Sequence, residues 1–289
     1  MKSAVENKIF YTNKTLNLHG RLIDLSAPKI MGILNITTDS FYAGSRSITE
    51  HDILARAELM LKDGADLLDL GAYSTRPGAV DVPEEEEKKR LVDAIRLLTK
   101  NFPAVLLSAD TFRGAVARAA VDAGACMIND VSGGTLDTTM FKTVSELKVP
   151  YILMHMRGTP QTMMQQTQYE NLVKEVTDYF HQKIAELHPY FLRDIIIDPG
   201  FGFAKTATQN FELLSKLEYL KILNRPILVG LSRKSMVWRT LSVTADEALN
   251  GTTALNTIAL LKGANILRVH DVKEARQVMT LVSTLHPTT

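Results

Sequence analysis

Short apolar runs alternate with longer amphipathic stretches from about residue 29 to residue 284. The short runs predict strands, and stretches with apolar residues three and four positions apart predict helices. The predicted strands are 30–36, 66–71, 104–110, 125–130, 150–155, 194–198, 226–231 and 265–270, and the predicted helices are 51–63, 84–101, 113–123, 137–148, 169–187, 209–220, 245–262 and 271–284. Eight strand–helix pairs in this order predict a parallel (β/α)8 barrel, the TIM-barrel fold.

The connections between these elements are unequal in length. Helix-to-strand connections are short, whereas the strand-to-helix segments 37–50, 71–83, 156–168 and 199–208 are long and polar. In a parallel barrel the long segments all emerge on one face, where barrel enzymes assemble their sites. We therefore predict one domain over residues 1–289, with its site on that face.

The segment before the first barrel strand has a different pattern. Lys8 to Leu18 reads as a small hairpin that turns at Asn13–Lys14. We predict that residues 1–28 form an N-terminal β-hairpin segment that covers the bottom of the barrel.

Composition and charge limit the classes of partner. The chain has 289 residues, of which 22% are charged, and a formal net charge of +1. Without a broad basic field, neither nucleic acid nor a membrane surface is an expected partner, so attraction for anions must be local. No apolar stretch approaches the roughly 20 residues that span a bilayer. The N-terminus lacks the apolar core of a secretory signal, and a single cysteine, Cys126, fits a reducing compartment, so we predict a cytoplasmic protein.

Polar side chains gather where the apolar runs stop. The strand ends carry Asn35, Asp69, Asp110, Asn129 with Asp130, His155, Asp198, Ser232 with Arg233 and Lys234, and Arg268 with His270. A single Asp at a strand end is most often a cap for the next helix. Polar groups at nearly every strand end are harder to explain by capping, and they favour a binding site.

The chemistry of these groups suggests a class of ligand. Asp110, Asn129 and Asp198 suit the edge of a flat, nitrogen-rich heterocycle, because an amide both donates and accepts and a carboxylate accepts from paired N–H groups. Lys234 and Arg268 would add positive charge beside a ring carbonyl or an anionic substituent. Lys234 is also compatible with a Schiff base, which keeps a second kind of chemistry open.

Two of the long segments have the composition of binding loops. Residues 71–78 are rich in turn-forming residues, and Arg76 has no apolar face to pack there. Asn35 to Phe41 places an amide, a carboxylate and an aromatic ring on a second loop. Loops of this kind can close over substrates and exclude water.

These segments together resemble the dihydropteroate synthase family, the folate-pathway transferases that sulfonamides inhibit. The resemblance spans about residues 29–284 and rests on eight segments in order: 31–35 with 39–41, 74–78, 110–111, 128–134, 154–160, 198–203, 230–235 and 268–271. It implies a barrel that condenses 6-hydroxymethyl-7,8-dihydropterin diphosphate with p-aminobenzoate, with Mg2+, to give 7,8-dihydropteroate and pyrophosphate.

The resemblance also implies roles for individual residues. Asp110, Lys234 and Arg268 would be catalytic; the pterin would contact Asp110, Asn129, Met154, Asp198, Phe203, Lys234 and Arg268; the diphosphate would contact Asn35, Arg268 and His270; p-aminobenzoate would contact Phe41, Thr75, Arg76, Pro77, Lys205 and Ser232; and Asn35 would be the Mg2+ ligand. Diphosphate leaves readily once its charge is neutralised, and the electron-rich pterin can share the positive charge left on its methylene carbon. A dissociative route is therefore expected. The resemblance implies a homodimer as well.

Two other functions compete with this one. A barrel aldolase would use Lys234 as a Schiff base, although it leaves the acid and amide groups unexplained. A non-enzymatic pterin-binding barrel, of the kind that presents a folate for corrinoid methyl transfer, would explain Asn129 and Asp198. That function leaves Arg76, Lys205 and His270 without a role.

Overall fold

A computed structural model describes residues 15–37, 49–74 and 81–285, and these form an eight-stranded parallel barrel surrounded by helices. A two-stranded antiparallel sheet, β1 (Thr15–Leu18) and β2 (Arg21–Asp24), precedes it. The barrel strands are β3 (Lys29–Asn35), β4 (Leu67–Gly71), β5 (Leu107–Asp110), β6 (Met127–Asp130), β7 (Tyr151–Met154), β8 (Ile195–Asp198), β9 (Leu228–Val229) and β10 (Ile266–Val269). The helices are α1 (Glu50–Lys62), α2 (Glu84–Asn101), α3 (Gly114–Ala123), α4 (Met140–Leu147), α5 (Leu172–Leu187), α6 (Ala207–Ser215), α7 (Ser235–Leu241), α8 (Leu249–Leu261) and α9 (Val272–Leu285).

The barrel is closed by a short contact between its two outermost strands. The paired strands follow the order β8, β7, β6, β5, β4, β3, β10, β9. An isolated parallel bridge joins Ile197 to Ile227, and the Ile197 amide donates to the Pro226 carbonyl at 2.9 Å. The predicted TIM-barrel fold is confirmed, because β9 meets β8 through this bridge.

Most of the predicted elements agree with the structure to within a few residues. The largest difference concerns the predicted helix 209–220. Thr206 and Gln209 form a capping box that starts α6 at Ala207, but α6 ends at Ser215 and the chain continues as a 3-10 segment, Leu217–Leu223. The short helix α7 follows directly after Lys234.

The N-terminal hairpin lies further along the chain than predicted. The predicted turn at Asn13–Lys14 is outside the described residues; within them, Thr15–Leu18 pairs with Arg21–Asp24. The turn is formed by His19 and Gly20, which both have positive φ. The Gly20 amide donates to Oδ1 of Asn17 at 2.7 Å. Two residues of positive φ are what a two-residue hairpin turn requires, and a glycine supplies one of them without strain.

The lower half of the barrel interior is apolar and is closed by this hairpin. Leu16, Leu18 and Leu25 are buried in a cluster with inward-facing residues from the first halves of the barrel strands, namely Met31, Leu67, Met127, Ile152, Ile196, Leu228 and Ile266. Each buried leucine contributes about 1.5–3 kcal/mol by removing apolar surface from water. The extent of the single domain over residues 1–289 stays a prediction.

Strand alternation separates the two faces of the barrel wall. Leu68, Leu70 and Ile128 belong to the cluster under the outer helices. The alternating positions therefore point inward, among them Asp69, Asp110 and Asn129. Near the bottom these inward positions are apolar, and toward the carboxyl ends they become polar.

The single cysteine is a core residue. Cys126 is buried, and its thiol donates to the Leu107 carbonyl at 3.3 Å. Burial raises the pKa of the Cys126 thiol to about 11. Among the residues that the structure describes, no helix is both long and apolar enough to cross a membrane.

Candidate active site

Adjacent strands bring polar side chains to one level at the carboxyl end of the barrel. The parallel register pairs Asn35 with Gly71, Gly71 with Asp110, and Asp110 with Asn129. A Cβ added to Gly71 would lie 3.5 Å from Oδ1 of Asn35 and 3.6 Å from Oδ2 of Asp110. The two side-chain oxygens therefore flank the glycine, which leaves room between them.

Arg268 lies at the centre of this end of the barrel between two carboxylates. Its Nε donates to Oδ2 of Asp69 at 2.6 Å, and its Nη2 donates to Oδ2 of Asp110 at 2.7 Å. The Asp69 side chain is fully buried, the Arg268 side chain is 20% exposed and the Asp110 side chain is 16% exposed. Charges this far from water interact more strongly than surface pairs, but each depends on its partner.

The environment shifts the pKa of both groups. Burial raises the pKa of Asp110 to about 7, even though the guanidinium of Arg268 acts in the opposite direction. Burial alone would lower the pKa of Arg268, but Asp69 and Asp110 outweigh it and the net shift is upward. Asp110 can thus gain or lose a proton near neutrality, whereas Arg268 stays cationic.

Two further polar groups face the interior beside this centre. The Asn129 amide nitrogen Nδ2 donates to Oδ2 of Asp69 at 2.8 Å. Asp198, paired with Met154 across β7 and β8, accepts from the Gly200 amide at 2.8 Å. Burial raises the pKa of Asp198, and the nearby Lys234 opposes that shift.

Lys234 approaches from the segment between β9 and α7. Its Nζ donates to the Phe201 carbonyl and lies 4.5 Å from the centre of the Phe203 ring. Burial lowers the pKa of Lys234 to about 8, against the opposing charge of Asp198. A cation–π contact of this kind favours the charged form of the amine.

An apolar wall stands beside the polar groups. Met154, Val131, Met156, Met163 and Ala204 form a small buried cluster, and Phe112 and Phe203 pack against it. Sulfur-containing and aromatic side chains of this kind suit the flat face of a ring. The predicted ring-binding residues Met154 and Phe203 therefore share one wall.

Ser232, which follows β9, and His270, which follows β10, meet at this end of the barrel. Oγ of Ser232 lies 3.0 Å from Nδ1 of His270, and the His270 amide donates to the same oxygen at 3.2 Å. Arg233, with a positive φ, donates twice to the Asp271 carboxylate at 2.8 and 3.0 Å. These bonds join the loop after β9 to the loop after β10.

Lys205 is placed differently from the other predicted site residues. Its Nζ is buried, 2.9 Å from Nδ1 of His155, and donates to the carbonyls of Gly200 and Phe203. Burial lowers the pKa of Lys205 to about 7. In this conformation the amine supports the loop after β8, and a contact with p-aminobenzoate stays a prediction.

That loop has a backbone that requires glycine at one position. Gly200 has a φ of +68°, and a Cβ there would collide with the carbonyl oxygen of His155. The close approach lets the loop turn back over β7 and present Phe203 toward Lys234.

Four predicted residues, Phe41, Thr75, Arg76 and Pro77, lie outside the described residues. The end of the loop between β4 and α2 is attached to the β5–α3 connection through Arg113. Its Nη1 donates to the Val82 carbonyl at 2.9 Å and to the buried Glu87 carboxylate at 2.6 Å. The Tyr73 hydroxyl donates to Asp81 at 3.0 Å.

The sequence placed Asp69 and Asp130 among the polar groups at the strand ends, but it assigned neither of them a role in the site. Asp130 faces away from the interior, where it accepts hydrogen bonds from the Tyr151 hydroxyl and the amides of Ser132 and Gly134. It therefore organises the loop after β6. Asp69 lies two positions before the end of β4. The sequence signal that could have marked it as a site residue is a single inward-facing acid within the apolar run Leu67–Gly71.

This barrel with an acid, amide and cation cluster at its carboxyl end has the features of the pterin-binding class. Residues 31–270 match the family model described as "Pterin binding enzyme". The dihydropteroate synthase of Escherichia coli strain K12 is 39% identical over 265 residues, which are 91% of this chain and 93% of that protein.

Solved structures agree with the sequence match. The dihydropteroate synthase of Yersinia pestis, in complex with a sulfonamide drug, has a TM-score of 0.90 and 38% identity, covering 95% of this chain and 100% of that one. The Xanthomonas albilineans dihydropteroate synthase with 4-aminobenzoic acid has a TM-score of 0.88 and 37% identity, covering 96% and 99%. The chain belongs to the dihydropteroate synthase family.

Proposed function

We propose that this chain condenses 6-hydroxymethyl-7,8-dihydropterin diphosphate with p-aminobenzoate to 7,8-dihydropteroate and pyrophosphate, as a transferase of folate synthesis. The observation that carries the proposal is the hydrogen-bonded chain in which Arg268 contacts Asp69 and Asp110 while Asn129 contacts Asp69. A substrate with a polar ring edge and an anionic tail matches such a site.

The pterin ring would be held by groups of matching polarity. Asn129 and Asp198 would accept hydrogen bonds from ring N–H groups, and Lys234 would donate to the ring carbonyl. Met154 and Phe203 would cover the ring face. Lys234 supports this assignment, because its position over the Phe203 ring favours a charged donor more than the neutral amine that a Schiff base needs.

The diphosphate would lie toward Arg268, Asn35 and His270. Among the described residues there is no group of three His, Cys, Asp or Glu side chains that could hold a metal by themselves. The donors fit Mg2+ in another way, because this ion takes one or two protein oxygens together with substrate phosphates and water. Asn35, whose Oδ1 lies beside Gly71, would supply that oxygen. Bound Mg2+ would neutralise charge on the departing diphosphate.

The reaction would begin with cleavage of the bond between the methylene carbon and the diphosphate oxygen. The oxygen keeps the electron pair, and Arg268 stabilises the developing negative charge. Ionised Asp110 stabilises the positive charge shared by the methylene carbon and the ring. The lone pair of the neutral aniline nitrogen then forms the new C–N bond, and its surplus proton passes to solvent.

The second substrate would occupy the outer part of the site. We assign Phe41, Thr75, Arg76, Pro77, Ser232 and Lys205 to p-aminobenzoate. Ser232 supports this assignment, because it lies beside His270, which we assign to the diphosphate. Sulfonamides share the aniline group of p-aminobenzoate, and we propose that they compete for the same position. The similar enzyme of Yersinia pestis has been solved in complex with a sulfonamide drug.

We also propose a homodimer through the outer helices of the last third of the barrel. Helix α8 packs against both α7 and α9. Large apolar side chains are exposed there: Leu241, Ile258, Leu261, Leu281 and Leu285. Exposed apolar groups on contiguous helices are typical of subunit interfaces.

Pyrophosphate release separates this function from its alternatives. We expect release from the pterin diphosphate that depends on p-aminobenzoate and yields 7,8-dihydropteroate. Tight pterin binding without any release would instead indicate a non-enzymatic pterin-binding barrel. Borohydride trapping of a carbonyl substrate on Lys234 would indicate an aldolase.

A further inference from the structure

Asp69 is a buried carboxylate to which neither the sequence nor the proposed reaction assigns a role. It lies inside β4, fully buried, one level below the residues at the strand ends. Its Oδ2 accepts two hydrogen bonds, from Nε of Arg268 at 2.6 Å and from Nδ2 of Asn129 at 2.8 Å. Its Oδ1 is buried and accepts no hydrogen bond within the described part of the chain. A buried acid that contacts two functional side chains can control both of them.

The contact with Asn129 decides which end of the amide faces the ligand. An ionised carboxylate only accepts hydrogen bonds, so Asn129 must turn its NH2 group toward Asp69. Its carbonyl oxygen is then directed away from Asp69, into the site. A carboxylate from Asp198 faces the same interior. The ring edge in this site therefore meets two acceptors and must itself carry donors.

The contact with Arg268 holds the guanidinium in one orientation. Arg268 is a planar fork, and fixing Nε on Asp69 aims Nη2 at Asp110. Without Asp69 the long side chain would keep one carboxylate partner and regain rotational freedom. Preorganised charge of this kind contributes more to catalysis than charge that must be oriented during the reaction.

We propose that Asp69 is a positioning residue that sets the hydrogen-bonding polarity of the pterin site through Asn129 and aims Arg268 at the reacting end. The inference rests on the proposed function for the identity of the ring. It makes Asp69 responsible for a ligand preference of the site. The site prefers a ring with an amino group over a related ring with a carbonyl at the same position.

The test compares two ligands and two substitutions. Binding of 6-hydroxymethylpterin and of its analogue with a carbonyl in place of the ring amino group is measured by calorimetry on the full chain without p-aminobenzoate. We expect the wild type to prefer the amino ring by about 100-fold, the scale set by leaving buried polar groups unpaired. In Asp69→Leu the Asn129 amide can turn, and the preference should fall to about 10-fold or less.

Asp69→Asn separates the hydrogen-bonding role of Asp69 from its negative charge. Its amide oxygen can replace Oδ2 as the acceptor for Arg268 and Asn129, and its NH2 takes the position of Oδ1, where no hydrogen bond is lost. We expect the ligand preference to stay within about threefold of the wild type, while kcat falls about tenfold because Arg268 has lost an anionic partner. Pyrophosphate release gives kcat.

Asp66→Asn is the matched control. Asp66 lies just before the same strand, at the opposite end of the barrel, and it also pairs with an arginine, Arg276, at 2.7 Å. A general loss of stability would lower the melting temperature of either variant without changing the ligand preference of the folded protein. Asp66→Asn should therefore leave both the preference and kcat unchanged.

Several outcomes would overturn the inference. A folded Asp69→Leu protein that retains the full preference for the amino ring would show that Asn129 is oriented by something else. If Asp69→Leu does not fold, Asp69→Asn decides, and an unchanged kcat or a lost preference contradicts the proposal. The ligand preference remains measurable even if the wild type releases no pyrophosphate, which would refute the proposed function and not this inference.

Discussion

The two ends of the barrel interior are built from the same strands and have opposite chemistry. At the amino end, Leu67 and Met127 point into an apolar cluster that Leu16 and Leu18 of the hairpin complete. Two positions further along the same strands, Asp69 and Asn129 point into the same interior and bond to each other. A shift of two residues therefore changes the interior from apolar to polar.

This difference shows how the barrel keeps stability and function apart. The apolar end gains free energy from burial, whereas the polar end contains buried carboxylates that cost free energy unless they are paired. Because both ends share a rigid backbone, the apolar end can hold the polar one in a fixed geometry. Substitutions at the two ends should therefore affect different measurements.

The largest expected effect comes from Arg268→Ala, which would lower both the stability and the turnover of the protein. It leaves Asp69 and Asp110 buried without their cation, so we expect a loss of about 3–5 kcal/mol in the free energy of unfolding. Turnover should fall at least about 1000-fold, because the diphosphate loses its main cation. Urea unfolding and pyrophosphate release measure the two effects.

Arg276→Ala provides the comparison at the opposite end. Arg276 pairs with Asp66 and donates to the Gly64 carbonyl, with both charged side chains partly exposed. We expect a loss of about 1 kcal/mol in stability and unchanged turnover. A similar loss of turnover in both variants would contradict the separation of the two ends.

Leu18→Ala should affect stability alone. Leu18 is buried between the hairpin and the barrel, and its truncation should cost about 3 kcal/mol in the free energy of unfolding. The kcat of the folded protein should stay within about twofold of the wild type. Leu22→Ala on the same hairpin is the control, because Leu22 is 73% exposed and should contribute at most about 0.5 kcal/mol. A large loss of kcat in Leu18→Ala would show that the two ends are coupled.

Asp110→Asn should lower turnover and change the pH profile. We expect kcat to fall about 100-fold, or about 2.7 kcal/mol in the barrier, because the amide cannot stabilise the cationic intermediate. In the wild type, kcat/KM should fall below pH 7 as Asp110 is protonated and above pH 8 as Lys234 loses its proton. The variant should keep only the fall at high pH. An unchanged fall below pH 7 in the variant would contradict the assignment of that step to Asp110.

The raised pKa of Asp110 also predicts how the stability of the protein depends on pH. The pKa of Asp110 is raised above its ordinary value of 3.8, so the folded state binds more protons than the unfolded state between about pH 4 and pH 7. Stability should therefore decrease as the pH rises through this window. Asp110→Asn should remove that part of the dependence in urea titrations.

The positions of candidate site residues could be predicted where these residues stand at the ends of parallel strands. Asp110, Asn129 and Asp198 each close an apolar run, and parallel strands place their carboxyl ends together. Asp69 was predicted at a strand end, but it lies two positions before the end of β4, and the inward alternation of that strand gives it a place in the site. The direction of Lys205 could not be predicted, because it depends on His155, fifty residues earlier in the chain.

The order of apolar runs and polar ends in the chain was enough to predict a parallel barrel with polar side chains at its carboxyl end, and the ordered motifs were enough to indicate its family. This is because strand period and chain direction are local properties. The pairing of Arg268 with two carboxylates, the orientation of the Asn129 amide and the burial of Lys205 arise between residues far apart in the chain. They depend on strand register and on the exclusion of water, and these exist only after the barrel has closed.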